Sequence, residues 1–248
     1  GATISNSTFE RSSFKGSTFI DCEVSNSSFK FARLRNCTIK SNFTNCDLSN
    51  TTLNGSKFDS TKFIKCNLIG IEIGDIAGFE DVDTCIISFE DSDLSSCRLI
   101  RDKQYPTYFK LTNSKMIGAK LINISIENDE IKGSDFTSSN LDDCIFFRCK
   151  LEEVNFSSAT LSDCLFEECS LNKNVFRYTN IKKTTFFEST ITKTIFKYLD
   201  ESDFKFSNTK LIFSEIRNAI DITLKIDKKS SLVECMIERV SDNLTINK

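Results

Sequence analysis

The chain contains no histidine and no tryptophan, one proline, two methionines and eight glycines in 248 residues. Without histidine, neither a Ser-His-Asp triad nor a Cys-His pair can be assembled. The cysteines include no C-x₂-C pair, so the zinc-ligand spacings are missing as well. The few glycines form no phosphate-cradling loop. No apolar run approaches the ~20 residues that cross a bilayer, and no signal-peptide pattern is present. Neither sign of charge dominates: 32 basic residues face 35 acidic ones, for a net charge of −3. Residues 51–100 carry −5 and residues 1–50 carry +2. A nucleic-acid binder needs a basic stripe, and none is evident.

What the chain does have is a five-residue spacing of large apolar residues from Ile4 to Ile216, with a few breaks. Between Leu111 and Phe196 it never misses: Leu111, Met116, Leu121, Ile126, Ile131, Phe136, Leu141, Phe146, Leu151, Phe156, and so on to Phe196. Period five matches neither a helix nor a strand. The backbone must turn once per repeat and aim each apolar side chain at a common axis. The pattern predicts a solenoid.

A second period lies inside the first. Phe136, Phe156, Phe176 and Phe196 form one series and Phe146, Phe166 and Phe186 another, with aliphatic series between them. Like residues recur every twenty positions, so four repeats make one coil, and stacked coils at ~4.8 Å give columns of phenylalanine and columns of aliphatics. The residue two before each centre is usually Ser, Thr, Cys or Ala, as in Ser12 before Phe14 and Ala159 before Leu161, and it too must face inward. The other three positions are mostly polar and belong to solvent.

Cys46-Asp47-Leu48, Ser92-Asp93-Leu94, Ser134-Asp135-Phe136 and Ser139-Asn140-Leu141 resemble the pentapeptide-repeat pattern A(D/N)Lxx. The resemblance covers about nine tenths of the chain and implies an all-β, right-handed, parallel quadrilateral β-helix, here of about twelve coils and roughly 55–60 Å long. It leaves function open, because similar folds serve topoisomerase protection, secreted bacterial effectors and other roles.

Nine of the eleven cysteines stand two residues before a repeat centre and read as small core residues. Cys46 and Cys66, Cys144 and Cys164, and Cys149 and Cys169 should stack as thiols, since parallel side chains on neighbouring coils lack the disulfide torsion. The carboxylate pairs Glu152-Glu153 and Glu167-Glu168 follow Leu151 and Phe166 on the outer surface and read as solvated. The expectation is therefore a non-catalytic chain with no catalytic residue, cofactor, metal site or small-molecule substrate and no membrane segment.

Function should then lie where the repeat breaks or the outer face is unusual. The phase slips by one residue between Ile73 and Phe79, in an acidic stretch with Glu72, Asp75, Glu80, Asp81 and Asp83, which could bind a basic partner. Twelve residues separate Leu99 from Leu111 where ten would keep register, around Arg101, Tyr105 and Tyr108, residue types favoured at interface hot spots. Phe176-Arg177-Tyr178 recurs as Phe196-Lys197-Tyr198, which should place two tyrosines beside cations on one outer edge.

After Ile216 the rhythm fades, and Ser231-Leu-Val-Glu234 reads as a capping box opening a short helix with Leu232, Val233, Met236, Ile237 and Val240 on one side. The expected organisation is a β-helix over 1–220, then a capping helix or a linker to a further domain over 221–248. The chain opens in register at Gly1, which suggests a fragment. The preferred role is a protein-binding scaffold of unknown partner and oligomeric state, in a bacterial effector held in the cytoplasm before secretion into a host cell. The alternatives are a DNA-mimicking topoisomerase-binding protein, for which −3 is weakly acidic, and the substrate-binding region of an effector ubiquitin ligase with its catalytic domain elsewhere.

Overall fold

A five-residue repeat cannot supply its own backbone partners, because each side of the coil is too short to fold back on itself. The hydrogen bonds go instead to the neighbouring coils. The computed structural model describes residues 1–74, 85–100, 107–111, 114–122, 124–199, 201–219, 223–240 and 244–246. It forms two compact units, Gly1–Ile124 and Ser125–Lys248, each a parallel β-solenoid.

In the first unit the strands Thr3–Ser5, Thr18–Ser25, Thr38–Thr44, Thr61–Ile64, Cys85–Glu90 and Thr107–Lys110 pair in that order, all parallel. Glu72–Ile73, Arg98–Ile100 and Lys120–Ile122 form a second ladder. Single bridges from Thr8 through Ser28, Asp47, Asn67 and Asp93 to Lys115 mark a further side, and those from Ser13 through Arg33 and Thr52 to Glu72 extend the second ladder. Both sequence irregularities reappear as register. Phe63 pairs with Phe89 and Ile87 with Phe109, spacings of 26 and 22 in place of 20. The extra residues are thus absorbed between strands, and the ladder resumes on either side of them.

The second unit has four ladders. One runs through Ser125–Glu127, Ile145–Phe147, Leu165–Glu167, Thr184–Phe187, Asp203–Ser207, Thr223–Ile226 and Leu244–Ile246. The others start at Glu130–Lys132, Asn140–Asp142 and Val175–Arg177. Because centres alternate Phe and Leu, the two phenylalanine columns stand on opposite sides of the coil and meet across the interior. Within a column the rings stack, with centroids 4.6 Å apart and planes 2° apart for Phe146 and Phe166. Between columns they meet edge to face, as in Phe156 and Phe166 at 6.3 Å and 89°. Both arrangements are the ones the ring quadrupole favours.

The residue two after each centre turns the corner with positive φ. Arg148, Glu153, Ser158, Asp163, Glu168 and Lys173 all lie between 51° and 57°. Non-glycine residues seldom occupy this region, and the conformation costs each of them about 1–2 kcal/mol. The coil accepts that cost because the corner N–H still donates to the coil above, as Arg148 does to Glu167 at 2.9 Å.

The inward small positions carry a second network. Their side chains accept the N–H of the equivalent residue one coil away, as Ser56 Oγ does from Cys37 at 3.1 Å and Ser189 Oγ from Cys169 at 3.0 Å. The hydroxyl then donates to a carbonyl, Ser56 to Leu34 at 2.7 Å and Ser189 to Phe166 at 3.2 Å. The nine cysteines read as core residues are buried thiols, and no disulfide joins them. Burial pushes the Cys97 thiol up to about 12, and a hydrogen bond with Cys46 together with burial raises Cys66. Both are neutral thiols at physiological pH.

The expected C-terminal helix is corrected. Ser231–Val233 pairs in parallel with Lys210–Ile212, and Met236–Val240 with Glu215–Ala219. Leu232 registers with Leu211 and Ile237 with Ile216, one residue late at 21, while Glu234 is an ordinary corner at φ 49°. A single inserted residue at the turn after Ile226 hid the five-residue rhythm and made the apolar residues look helical. Among the described residues no helix is long and apolar enough to cross a membrane.

Asp227 organises that turn. Its carboxylate accepts from Ser207 Oγ at 2.7 Å, the Asn208 N–H at 3.0 Å and Ser230 Oγ at 2.8 Å. Burial opposes the charge, but the hydrogen bonds outweigh it and hold the carboxyl below its ordinary value of 3.8. A lowered folded-state value stabilises the protein above the unfolded value, and that stabilisation is lost as pH falls below about 4. Asp227→Asn should therefore lower the urea midpoint at neutral pH, with the deficit shrinking as both proteins are titrated toward about pH 2. A deficit that does not change with pH would contradict this.

Candidate partner-binding surface

The three regions singled out in the sequence fare differently. In the acidic stretch, Glu72 is exposed and registers with Arg98 on the next coil. Asp75, Glu80, Asp81 and Asp83 lie outside the described residues, as do Arg101 and Tyr105. Tyr108 belongs to the strand Thr107–Lys110 and registers with Ile86, but its side chain also lies outside them. No described geometry brings these residues into one site.

The tyrosine ladder is fully described. Tyr178 and Tyr198 both occupy corners, with φ of 54° and 56°, which swing their side chains away from the core. Tyr178 is 63% exposed and Tyr198 38%. Their N–H groups donate to Lys197 and Arg217, so the corners sit one coil apart and the rings stack, centroids 4.9 Å apart and planes 9° apart. The ring spacing is the coil spacing. Arg177 registers with Lys197 and Lys197 with Arg217, giving a row of cations beside the rings. Lys197 Nζ lies 4.8 Å from the Tyr198 centroid, a cation–π contact.

Lys193, which the sequence places near the ladder, stands at the other corner of this face, and its N–H donates to Ile212. Beside it is Phe213, 49% exposed at φ 49°, which reading the sequence by repeat position missed. Phe213 is two after the centre Leu211, so the corner rule would have found it. Lys173, one coil earlier, is held by Glu153 at 2.8 Å, which raises the ammonium and lowers the carboxyl from their ordinary values. The face between Lys193 and Tyr198 therefore carries aromatic and cationic groups at both corners, with half-buried Val175 and Ile195 between.

Two descriptions of known families match the sequence: a pentapeptide repeat region over residues 139–216 and pentapeptide repeats (8 copies) over residues 41–72. The chain is a pentapeptide-repeat protein. No curated protein sequence is similar to it. Solved structures similar to the chain include HetL, a pentapeptide repeat protein involved in heterocyst differentiation regulation from the cyanobacterium Nostoc sp. strain PCC 7120, at 13% identity and TM-score 0.37 over 82% of this chain and 86% of that one. Another is full-length QnrB1, a plasmid-mediated fluoroquinolone resistance protein, at 18% identity and TM-score 0.28 over 95% and 91%.

Proposed function

We propose that this pentapeptide-repeat chain is a non-catalytic scaffold that captures a protein partner on the face bounded by Tyr178, Tyr198 and Lys193. The observation that carries this reading is the exposed tyrosine stack. Most other corners of the second unit are filled by polar or charged residues that reach solvent, such as Asn128, Arg148, Glu153, Asp163, Glu188 and Asn208. A bulky aromatic there is disfavoured by the backbone and exposes apolar surface, so the position is better explained by a contact outside the coil than by stability. Tyrosine and arginine are also the side chains that concentrate binding energy at interfaces. The charges on the described ladders are mixed and largely paired across coils, such as Lys150 with Glu130 and Arg148 with Glu168, which does not favour a DNA mimic. A bacterial secreted effector is the setting we assign to such a scaffold, on the resemblance of its repeats alone.

Replacing both tyrosines by asparagine keeps the corner conformation and removes the rings. The double variant Tyr178→Asn, Tyr198→Asn should lose a partner captured by the wild-type chain, with affinity down by about thirtyfold or more. Its melting temperature should stay within a few degrees. Unchanged affinity for that partner would sink the proposal.

A further inference from the structure

The first unit carries a cationic groove that the tyrosine face does not involve. Ser13, Lys15, Arg33, Arg35, Asn36 and Asn54 line a concavity of about 490 Å³ that also reaches Gly55. Arg33 and Arg35 flank the buried Leu34 on one side of the coil, so both project outward, roughly 6.5–7 Å apart. Lys15 stands beside Arg35 one coil away, since the neighbouring Gly16 N–H donates to the Arg35 carbonyl at 3.0 Å. Three positive charges thus meet over two coils.

Among the described residues no carboxylate pairs with them. Elsewhere, residues one coil apart form opposite-charge pairs, such as Lys40 with Asp59, Lys132 with Glu152 and Lys183 with Asp163. None of Lys15, Arg33 and Arg35 has an ion pair among the described residues. The carboxylate in the same column, Glu72, is two coils from Arg33 and registers with Arg98. Like charges stacked on neighbouring strands repel.

The corner beside the cations is also kept open. A Cβ at Gly16 would meet nothing within 4 Å, and one at Gly55 would fall 2.3 Å from Asn36 Oδ1. With φ of 74° and 72° these two glycines leave the Asn36 amide exposed between bare backbone. A pair of guanidinium forks, an ammonium and two amides around a shallow cleft match a tetrahedral oxyanion, which arginine grips in bidentate fashion.

The geometry points to a phosphate-monoester site at Lys15, Arg33 and Arg35. Three cations match the charge of about −1.5 to −2 on a phosphate monoester at pH 7 better than the single charge of a sulfate monoester. The ester can belong to a phosphorylated molecule or be replaced by free phosphate, and both present the same oxygens.

The test is calorimetric titration of the full chain at fixed ionic strength with phenyl phosphate, inorganic phosphate and phenyl sulfate. Phenyl phosphate should saturate one site with a dissociation constant of about 0.1–1 mM. Arg33→Gln and Arg35→Gln should each weaken it about tenfold or more, while Lys62→Gln, on another side of the coil, should leave it unchanged. Melting curves of the variants should overlay the wild type, as expected for exposed side chains. Inorganic phosphate binding as tightly as the ester identifies free phosphate as sufficient. Tighter binding of the ester identifies a phosphorylated molecule, and both results support the site. Failure of phenyl phosphate to saturate, wild-type affinity in the Arg33→Gln, Arg35→Gln double variant, or equal binding of phenyl sulfate overturns it.

Discussion

Phe156→Ala should destabilise the Ser125–Lys248 unit by about 3–5 kcal/mol, read from urea or guanidinium midpoints. The ring is fully buried. It stacks on Phe136 at 5.0 Å and Phe176 at 4.8 Å and meets Phe146 and Phe166 edge to face at 6.5 and 6.3 Å. The loss belongs near the top of the range for a physical reason. A cavity is cheapest where its walls can collapse, and here the walls are held apart by the parallel ladders, whose hydrogen bonds set the coil spacing. Phe176 cannot move toward Phe136 without breaking them. Phe156→Leu, which matches the aliphatic columns and leaves a smaller void, should cost about 1–2 kcal/mol. Equal midpoints for Phe156→Ala and wild type would mean that the ring is not in the core.

Asn174→Leu should cost about 2–4 kcal/mol although it keeps the side-chain volume, because it strands buried backbone groups. Asn174 is fully buried at an inward small position. Its Oδ1 accepts the Val154 N–H at 2.8 Å and its Nδ2 donates to the Leu151 carbonyl at 3.1 Å. Its own N–H donates to Thr194 Oγ1, whose N–H donates to Ser214 Oγ, each at 3.3 Å. The series is a relay from coil to coil. Leucine offers neither acceptor nor donor, so the Val154 N–H and the Leu151 carbonyl lose these partners in the interior. Thr194→Val, which removes one link at constant shape, should cost less, about 1–2 kcal/mol. If Asn174→Leu proves neutral or stabilising by chemical denaturation, hydrophobic packing outweighs the relay and the inward polar residues are replaceable fillers.

The two substitutions probe parts of the molecule that differ in how far they can be read without coordinates. The Phe156 column was legible because large apolar residues spaced by five leave few ways of hiding them all. The role of Asn174 was not. A polar residue two before a centre reads only as small and inward, and its choice depends on which N–H of the next coil faces it. The C-terminal segment shows the same limit from another side. Leu232 and Ile237 are five apart like neighbouring centres in the unbroken repeat, yet one extra residue at the Asp227 turn broke the phase, and the intervening Val233 and Met236 completed a helical stripe. Pairing with Lys210–Ile212 and Glu215–Ala219 decided the matter, since a strand on an existing ladder fills two rows of open hydrogen bonds that a helix would leave bare.

The candidate surfaces divide along the same line. That Tyr178 and Tyr198 lie one coil apart follows from period twenty, and their stacking from the coil spacing. That they stand at left-handed corners, sharing a face with Phe213, required the backbone. The Lys15, Arg33 and Arg35 groove was invisible for a related reason: in a polar outer position one cation looks like another until it is known which carboxylates are within reach. Period, phase and side-chain size are local properties of the chain, and they determined the solenoid, its phenylalanine columns and its buried thiols. Corner conformation, the coil-to-coil relay and the pattern of paired and unpaired charge arise between residues about twenty positions apart, and only the stacked coils decided them.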